Sequence, residues 1–200
     1  NITGDDNSGY GKIIAKRGSS RWQASEGPEI IYCNGYYYLF LAYGTLSVEY
    51  NTRVCRSANI DGPYVDIDGN SAMGNSELYP ILTAPYKFNN SYGWVGISHC
   101  GIFDDGEGNW YYTSQGRFPV NVGGNEHSNA IMMGHVRSIR WDANGWPLVM
   151  PERYGAVPQV PIPEAEIAGD WEHLALTTNT SDQRTSETMT YDLSTHKITS

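Results

Sequence analysis

The sequence predicts an all-β chain that forms part of a β-propeller, and three features carry that expectation. The composition is rich in Tyr (15), Trp (6) and Gly (22), the usage of short strands joined by tight turns. Apolar runs are only a few residues long and are bounded by Asn-Gly, Asp-Gly and Gly-Pro pairs, which punctuate hairpins rather than helices. The hairpin pattern also returns further along: Ile102 follows Ile30 by 72 positions and Trp110 follows Tyr36 by 74. A recurring four-stranded sheet is how propeller blades are written, although this spacing exceeds the roughly 40–50 residues of common propeller repeats. Long loops between strands account for the excess.

Taken in order, residues 1–24 read as a loop with one short strand at Ile13-Ile14-Ala15. The first blade opens at Ile30-Ile31-Tyr32, turns at Asn34-Gly35 and returns through Tyr36 to Tyr43; Asn-Gly supplies the two positive φ values of a type I′ turn. Thr52–Arg56 is expected as a third strand with alternating faces, and Tyr64-Val65-Asp66, after the Asp61-Gly62-Pro63 corner, as a fourth. The second blade is expected from Gly101-Ile102-Phe103, a turn over residues 104–109 and Trp110 to Ser114. It continues with the hairpin Val136–Trp141 and Trp146–Val149 around Asp142-Ala143-Asn144-Gly145. Pro158, Pro161 and Pro163 form a semi-rigid linker by composition. Beyond it, Trp171–Leu176 and Glu187–Tyr191 are strand-like, in a segment too short for a core of its own. The expected organisation is therefore 1–157 as propeller blades and 158–200 as linker and the start of a further β domain. A ring needs about 4–8 blades, and two are countable. The expectation is that the chain works with a partner segment supplying the earlier blades, without which its sheet edges stand unpaired.

The formal net charge is −9, and the 13 Lys and Arg residues are scattered, so no basic stripe exists to neutralise phosphates and nucleic acid is not expected as a partner. No window has the length and apolarity of a membrane span, and no signal-peptide pattern opens the chain. Cys33, Cys55 and Cys100 lack metal-ligand spacing and are expected as small buried residues on strands.

Two residues stand out as candidates for chemistry. Glu26 sits in Ser25-Glu26-Gly27-Pro28, where Pro28 fixes its own φ and pushes Gly27 out of the helical region, so the carboxylate is aimed at the entrance of the first strand. His99, in Gly96-Ile97-Ser98-His99-Cys100-Gly101, precedes the first strand of the second unit as Glu26 precedes that of the first. Equivalent positions in successive blades point to the same end of a ring, which puts both near its axis. Asp104, Asp105 and Glu107 lack the terminal Glu of a calcium loop and read as turn formers. Asp61, Asp66 and Asp68 are expected to be solvated, and His135 to stack near the axial mouth.

Ser25-Glu26-Gly27-Pro28, the tyrosine hairpin and Arg53–Ser57 running to Asp61–Asp66, with Tyr111–Arg117, His135-Val136-Arg137 to Trp146-Pro147 and Pro151–Tyr154, together resemble the second half of a glycoside hydrolase family 43 arabinanase. The resemblance runs over about residues 20–155; the tail from Asp170-Trp171-Glu172-His173 is similar to the opening of the small β-barrel domain that follows the propeller in two-domain arabinanases. It implies a five-bladed propeller that hydrolyses α-1,5-linked L-arabinan or arabino-oligosaccharides with inversion, in an extracellular or periplasmic setting. By motif, Glu26 matches the general acid. His99 matches the histidine that binds one largely hydrated calcium ion, although Ser98-His99-Cys100 departs from the usual Gly-His-Asn or Gly-His-Ser context. The base and the third aspartate have no matching motif here, and the resemblance assigns them to an N-terminal propeller segment. Inverting hydrolysis needs such a pair, an acid and a water-activating carboxylate roughly 6.5–9.5 Å apart. Trp94 and Tyr43 are candidate faces for furanose rings. A propeller lectin that binds plant cell-wall glycans without cleaving them, and a related β-xylosidase or arabinofuranosidase, are the competing functions.

Overall fold

A computed structural model of the 200-residue chain describes residues 11–17, 25–74, 77–157 and 160–200. Two antiparallel sheets dominate it. The first orders β1 (Glu26–Cys33), β2 (Tyr36–Tyr43) and β3 (Asn51–Ser57) side by side. Its first turn places Asn34 at φ 50° and Gly35 at φ 82°, the left-handed pair that Asn-Gly adopts readily. After the two-residue β4 (Tyr86–Lys87), the second sheet runs β5 (Val95–Asp104), β6 (Trp110–Arg117), β7 (Met132–Trp141) and β8 (Pro147–Val149) in sequence order. Asp105 closes the β5–β6 turn by accepting the backbone N–H groups of Glu107 and Asn109 and the Asn109 side-chain amide. The acidic residues of that loop are turn formers, as expected.

The middle strand β2 is buried on both faces. Tyr38 and Phe40 join Val54 in a core shared with Ile97, Ile102, Tyr112, Ile139 and Trp146 of the second sheet. Leu39, Leu41 and Tyr43 point the other way, into a cluster with Cys55, Tyr64, Ala72 and Leu78. Burying each such side chain contributes about 1.5–3 kcal/mol, so β2 anchors both layers. For the same reason β3 shows almost continuous burial instead of the alternation its sequence suggested.

Three local expectations are corrected. Residues 11–17 contain no strand; Ile14 and Ala15 pack on the second cluster, and the Lys16 N–H donates to the Ala72 carbonyl at 2.9 Å. The expected strand at Tyr64–Asp66 reduces to one bridge, in which Arg56 and Val65 exchange backbone bonds of 2.8 and 2.9 Å. Asp66 ends it. Its carboxylate is 2% exposed rather than solvated and accepts the N–H groups of Asp68, Asn70 and Tyr79 together with the Asn70 amide, which curls the chain away from the sheet. Asp61 is exposed and pairs with Lys12 at 3.0 Å.

The tail forms a largely exposed three-stranded sheet ordered β12–β11–β9, from β9 (Gly169–His173), β11 (Glu187–Asp192) and β12 (Lys197–Thr199). It is tied to the blades by β10 (Arg184–Thr185), which pairs in parallel with β4. The Gln183 side-chain amide donates to the Tyr86 and Tyr92 carbonyls at 2.9 and 2.8 Å. An apolar cavity of about 250 Å³ lies where Leu174 and Leu176 of the tail meet Leu82, Ile97 and Val149. The linker residue Pro158 lies outside the described residues. The three cysteines are free thiols on β1, β3 and β5, with Cys55 and Cys100 buried and Cys33 half-buried.

A buried polar chain fixes the two sheets against each other. The Thr52 hydroxyl stands 2.7 Å from the Tyr112 hydroxyl and 2.8 Å from that of Ser98, and Ser98 donates to the Asn51 carbonyl at 2.9 Å. Every group is satisfied if Tyr112 donates to Thr52, Thr52 to Ser98 and Ser98 onward. Thr83 adds a second tie, receiving the Thr52 N–H and donating to the Ile97 carbonyl. Thr52→Val keeps the shape but removes the acceptor of the buried Tyr112 hydroxyl and the donor to Ser98. It is expected to cost about 1–3 kcal/mol, measurable as a lower urea midpoint with an unchanged slope.

Candidate active site

Glu26 is the first residue of β1, and the pairing register slips immediately after it: Glu26 faces Ala42 while Glu29 faces Phe40, so Gly27 and Pro28 oppose the single residue Leu41. His99 sits in a similar irregularity, with Ser98 facing Gln115 and Gly101 facing Thr113. Bulges re-aim side chains out of the strict alternation of a strand, and here both functional candidates sit at one. Ser98 and Cys100 are buried while His99 between them is exposed. Its φ of 58° lies in the left-handed region, uncommon for a residue with a side chain.

The two bulges meet. His99 Nδ1 is 3.9 Å from Glu26 Oε1, and the imidazole lies over Gly27, where an added Cβ would stand 3.2 Å from the ring. Gly27 has φ 54°, so glycine provides both the backbone conformation and the room. Between the two side chains stands Tyr50, 1% exposed. Its hydroxyl donates to Glu26 Oε1 and lies 3.0 Å from His99 Nδ1. Burial first, and the Glu26 carboxylate second, push the Tyr50 phenol well above its ordinary range, so it keeps its proton. Glu26 and His99 are themselves open, at 55% and 59% side-chain exposure. A carboxyl group is thus gripped on one oxygen, with its remainder facing solvent.

Tyr50 was missed by sequence reasoning, although a signal existed. β1 and β3 flank β2, each antiparallel to it, so both start at the same end of the sheet. The residue before β3 therefore accompanies the residue that begins β1.

Tyr43 is a correction. Its ring is 3% exposed and lies beneath the guanidinium groups of Arg17 and Arg53, 4.3 and 4.8 Å from its centroid; burial pushes its phenol up to about 12. It has no face to offer a sugar. Trp94 directly precedes β5 and is half-buried. Phe118 stacks on its ring at 4.6 Å, His135 meets it edge-on at 4.1 Å, and the Arg153 guanidinium lies 5.3 Å from its centroid. It borders an open cleft of about 300 Å³ with Tyr92, Phe118 and Arg153. His135 is 3% exposed rather than at an open mouth. Its Nδ1 accepts from Arg137 at 3.1 Å, and burial, then the Arg137 charge, lowers its pKa to about 4. It is a neutral core residue.

Among the described residues no group of three or more His, Cys, Asp and Glu side chains is placed to hold a metal ion. The donor that stands open is the exposed His99 imidazole; a hard cation held there would keep the rest of its coordination as water, as calcium's preference for oxygen allows.

The family described as Glycosyl hydrolases family 43 matches residues 5–147. The chain belongs to this family. It is 31% identical over 185 residues to the extracellular endo-alpha-(1->5)-L-arabinanase 2 of Bacillus subtilis, covering 82% of this chain and 37% of that protein. It is 30% identical over 188 residues to the extracellular endo-alpha-(1->5)-L-arabinanase of Thermotoga petrophila, covering 83% of this chain and 37% of that protein. Among solved structures, a family 43 glycoside hydrolase of Bacillus licheniformis superposes with a TM-score of 0.81 at 29% identity, over 96% of this chain and 45% of that one. The family 43 chain described here spans about 37% of the length of these curated relatives.

Proposed function

We propose that this chain supplies the acid-bearing part of an arabinan-cleaving glycoside hydrolase that acts with inversion. The observation that carries the reading is the convergence of Glu26 and His99 from bulges in two successive sheets onto one buried tyrosine hydroxyl. Glu26 is the general acid: its carboxyl proton passes to the departing glycosidic oxygen as the bond to the anomeric carbon breaks. A water activated by a second carboxylate, from an N-terminal propeller segment, attacks the opposite face of the sugar. That segment completes a five-bladed ring and also supplies the third aspartate. His99 would hold a calcium ion, whose charge beside the site would favour the ionised form of the water-activating carboxylate. Trp94, half-buried at the rim of its cleft, would meet a furanose ring only with the part of its indole that Phe118, His135 and Arg153 leave open. The protein would work outside the cytoplasm, in keeping with the names of both arabinanase relatives.

Product analysis tests this reading. The complete protein incubated with linear α-1,5-arabinan should release arabino-oligosaccharides or arabinose whose newly formed anomer is inverted, and release little from arabinoxylan. Glycan binding without any product would favour a lectin, and preferential release of xylose or side-chain arabinose would favour a xylan-acting relative.

A further inference from the structure

We propose that Tyr50 is a positioning residue whose single hydroxyl sets both the orientation of the Glu26 carboxyl group and the tautomer of His99. The inference rests on the functional reading above only for the roles it gives those two residues; the hydrogen-bond chain itself is local.

A phenol carries one hydrogen and two acceptor lone pairs. Tyr50 spends its hydrogen on Glu26 Oε1. Its contact with His99 Nδ1 at 3.0 Å can then be a hydrogen bond only if the imidazole donates, so the proton of neutral His99 resides on Nδ1. Nε2 is left as a lone pair on an exposed side chain, the form in which imidazole binds a cation. On the other side, with Oε1 accepting from Tyr50, the proton of a neutral Glu26 resides on Oε2, the oxygen not engaged by Tyr50. Tyr50 is 1% exposed and leads directly into β3, whose Asn51 and Thr52 are locked to Ser98. The donor is thus held by the same polar chain that fixes the sheet carrying His99. Partners behind a metal-binding histidine fix its ring and tautomer, and losing one costs roughly 10–100-fold in metal affinity or activity.

The test compares the complete wild-type protein with Tyr50→Phe, both labelled with 15N-histidine. His99 is assigned by His99→Asn. In the cation-free wild type at a pH where His99 is neutral, its Nδ1 should show the shift of a protonated ring nitrogen and Nε2 that of an unprotonated one. Tyr50→Phe should mix the tautomers, weaken calcium binding by about 10–100-fold in titration calorimetry, and lower kcat on arabinan with little change in KM. A wild-type His99 protonated on Nε2 would overturn the proposal without recourse to any variant. So would a tautomer and calcium affinity unchanged in a folded Tyr50→Phe protein. A wild type that hydrolyses no arabinan would instead overturn the functional reading and leave the tautomer result to decide the role of Tyr50.

Discussion

Glu26→Gln in the complete protein is expected to reduce turnover on linear arabinan by at least about a hundredfold, the lower end of what a positioned general acid contributes. Gln is nearly isosteric with Glu, its amide oxygen can still accept from the Tyr50 hydroxyl, and the side chain is 55% exposed. Folding should therefore persist, with an unchanged circular dichroism spectrum and oligosaccharide affinity. What is lost is the transferable proton, because an amide cannot deliver one to a leaving alkoxide. Near-normal turnover of a folded Glu26→Gln protein would remove Glu26 from the chemistry.

Chelation should have the second largest effect. Prolonged incubation with EDTA is expected to lower activity by at least the roughly 10–100-fold that loss of a supporting contact at a metal site costs, with recovery when calcium is added. His99→Asn should reproduce the chelated state without recovery. Asn is the proper replacement, since the position has φ 58° and Asn tolerates the left-handed region better than most residues. Activity indifferent to chelation, together with no calcium uptake by the wild type, would exclude a cation on His99.

Much of the fold was legible because its signals are local. The Asn34-Gly35 turn and the β5–β6 and β7–β8 hairpins follow from turn chemistry and from the repeat; Glu26 opens β1 as expected, whereas His99, expected just before a strand, lies inside β5 at a bulge. What was not legible depends on partners distant in sequence. The β4–β10 pair joins Tyr86 to Arg184 through two residues on each side, too short a run to leave a pattern. The expected strand at Tyr64–Asp66 failed because Asp66 has four nearby donors, and an aspartate that can build its own turn competes with a ladder. Tyr43 looked like a sugar platform because aromatics serve both packing and recognition; only the two arginines over its ring decide between them. In the site, the sequence pointed to Glu26 and His99 separately, while Tyr50 required knowing which strand ends lie together.

The acid role of Glu26 and the cation on His99 are tested together by a crystal structure of the complete Glu26→Gln protein with calcium and an arabino-oligosaccharide longer than the cleavage site. A glycosidic oxygen is expected within about 2.6–3.2 Å of the residue 26 side-chain amide, with the Tyr50 hydroxyl on its other end and calcium on His99 Nε2. An oligosaccharide bound in a different cleft, with no glycosidic oxygen near residue 26 and no ion at His99, would contradict both roles.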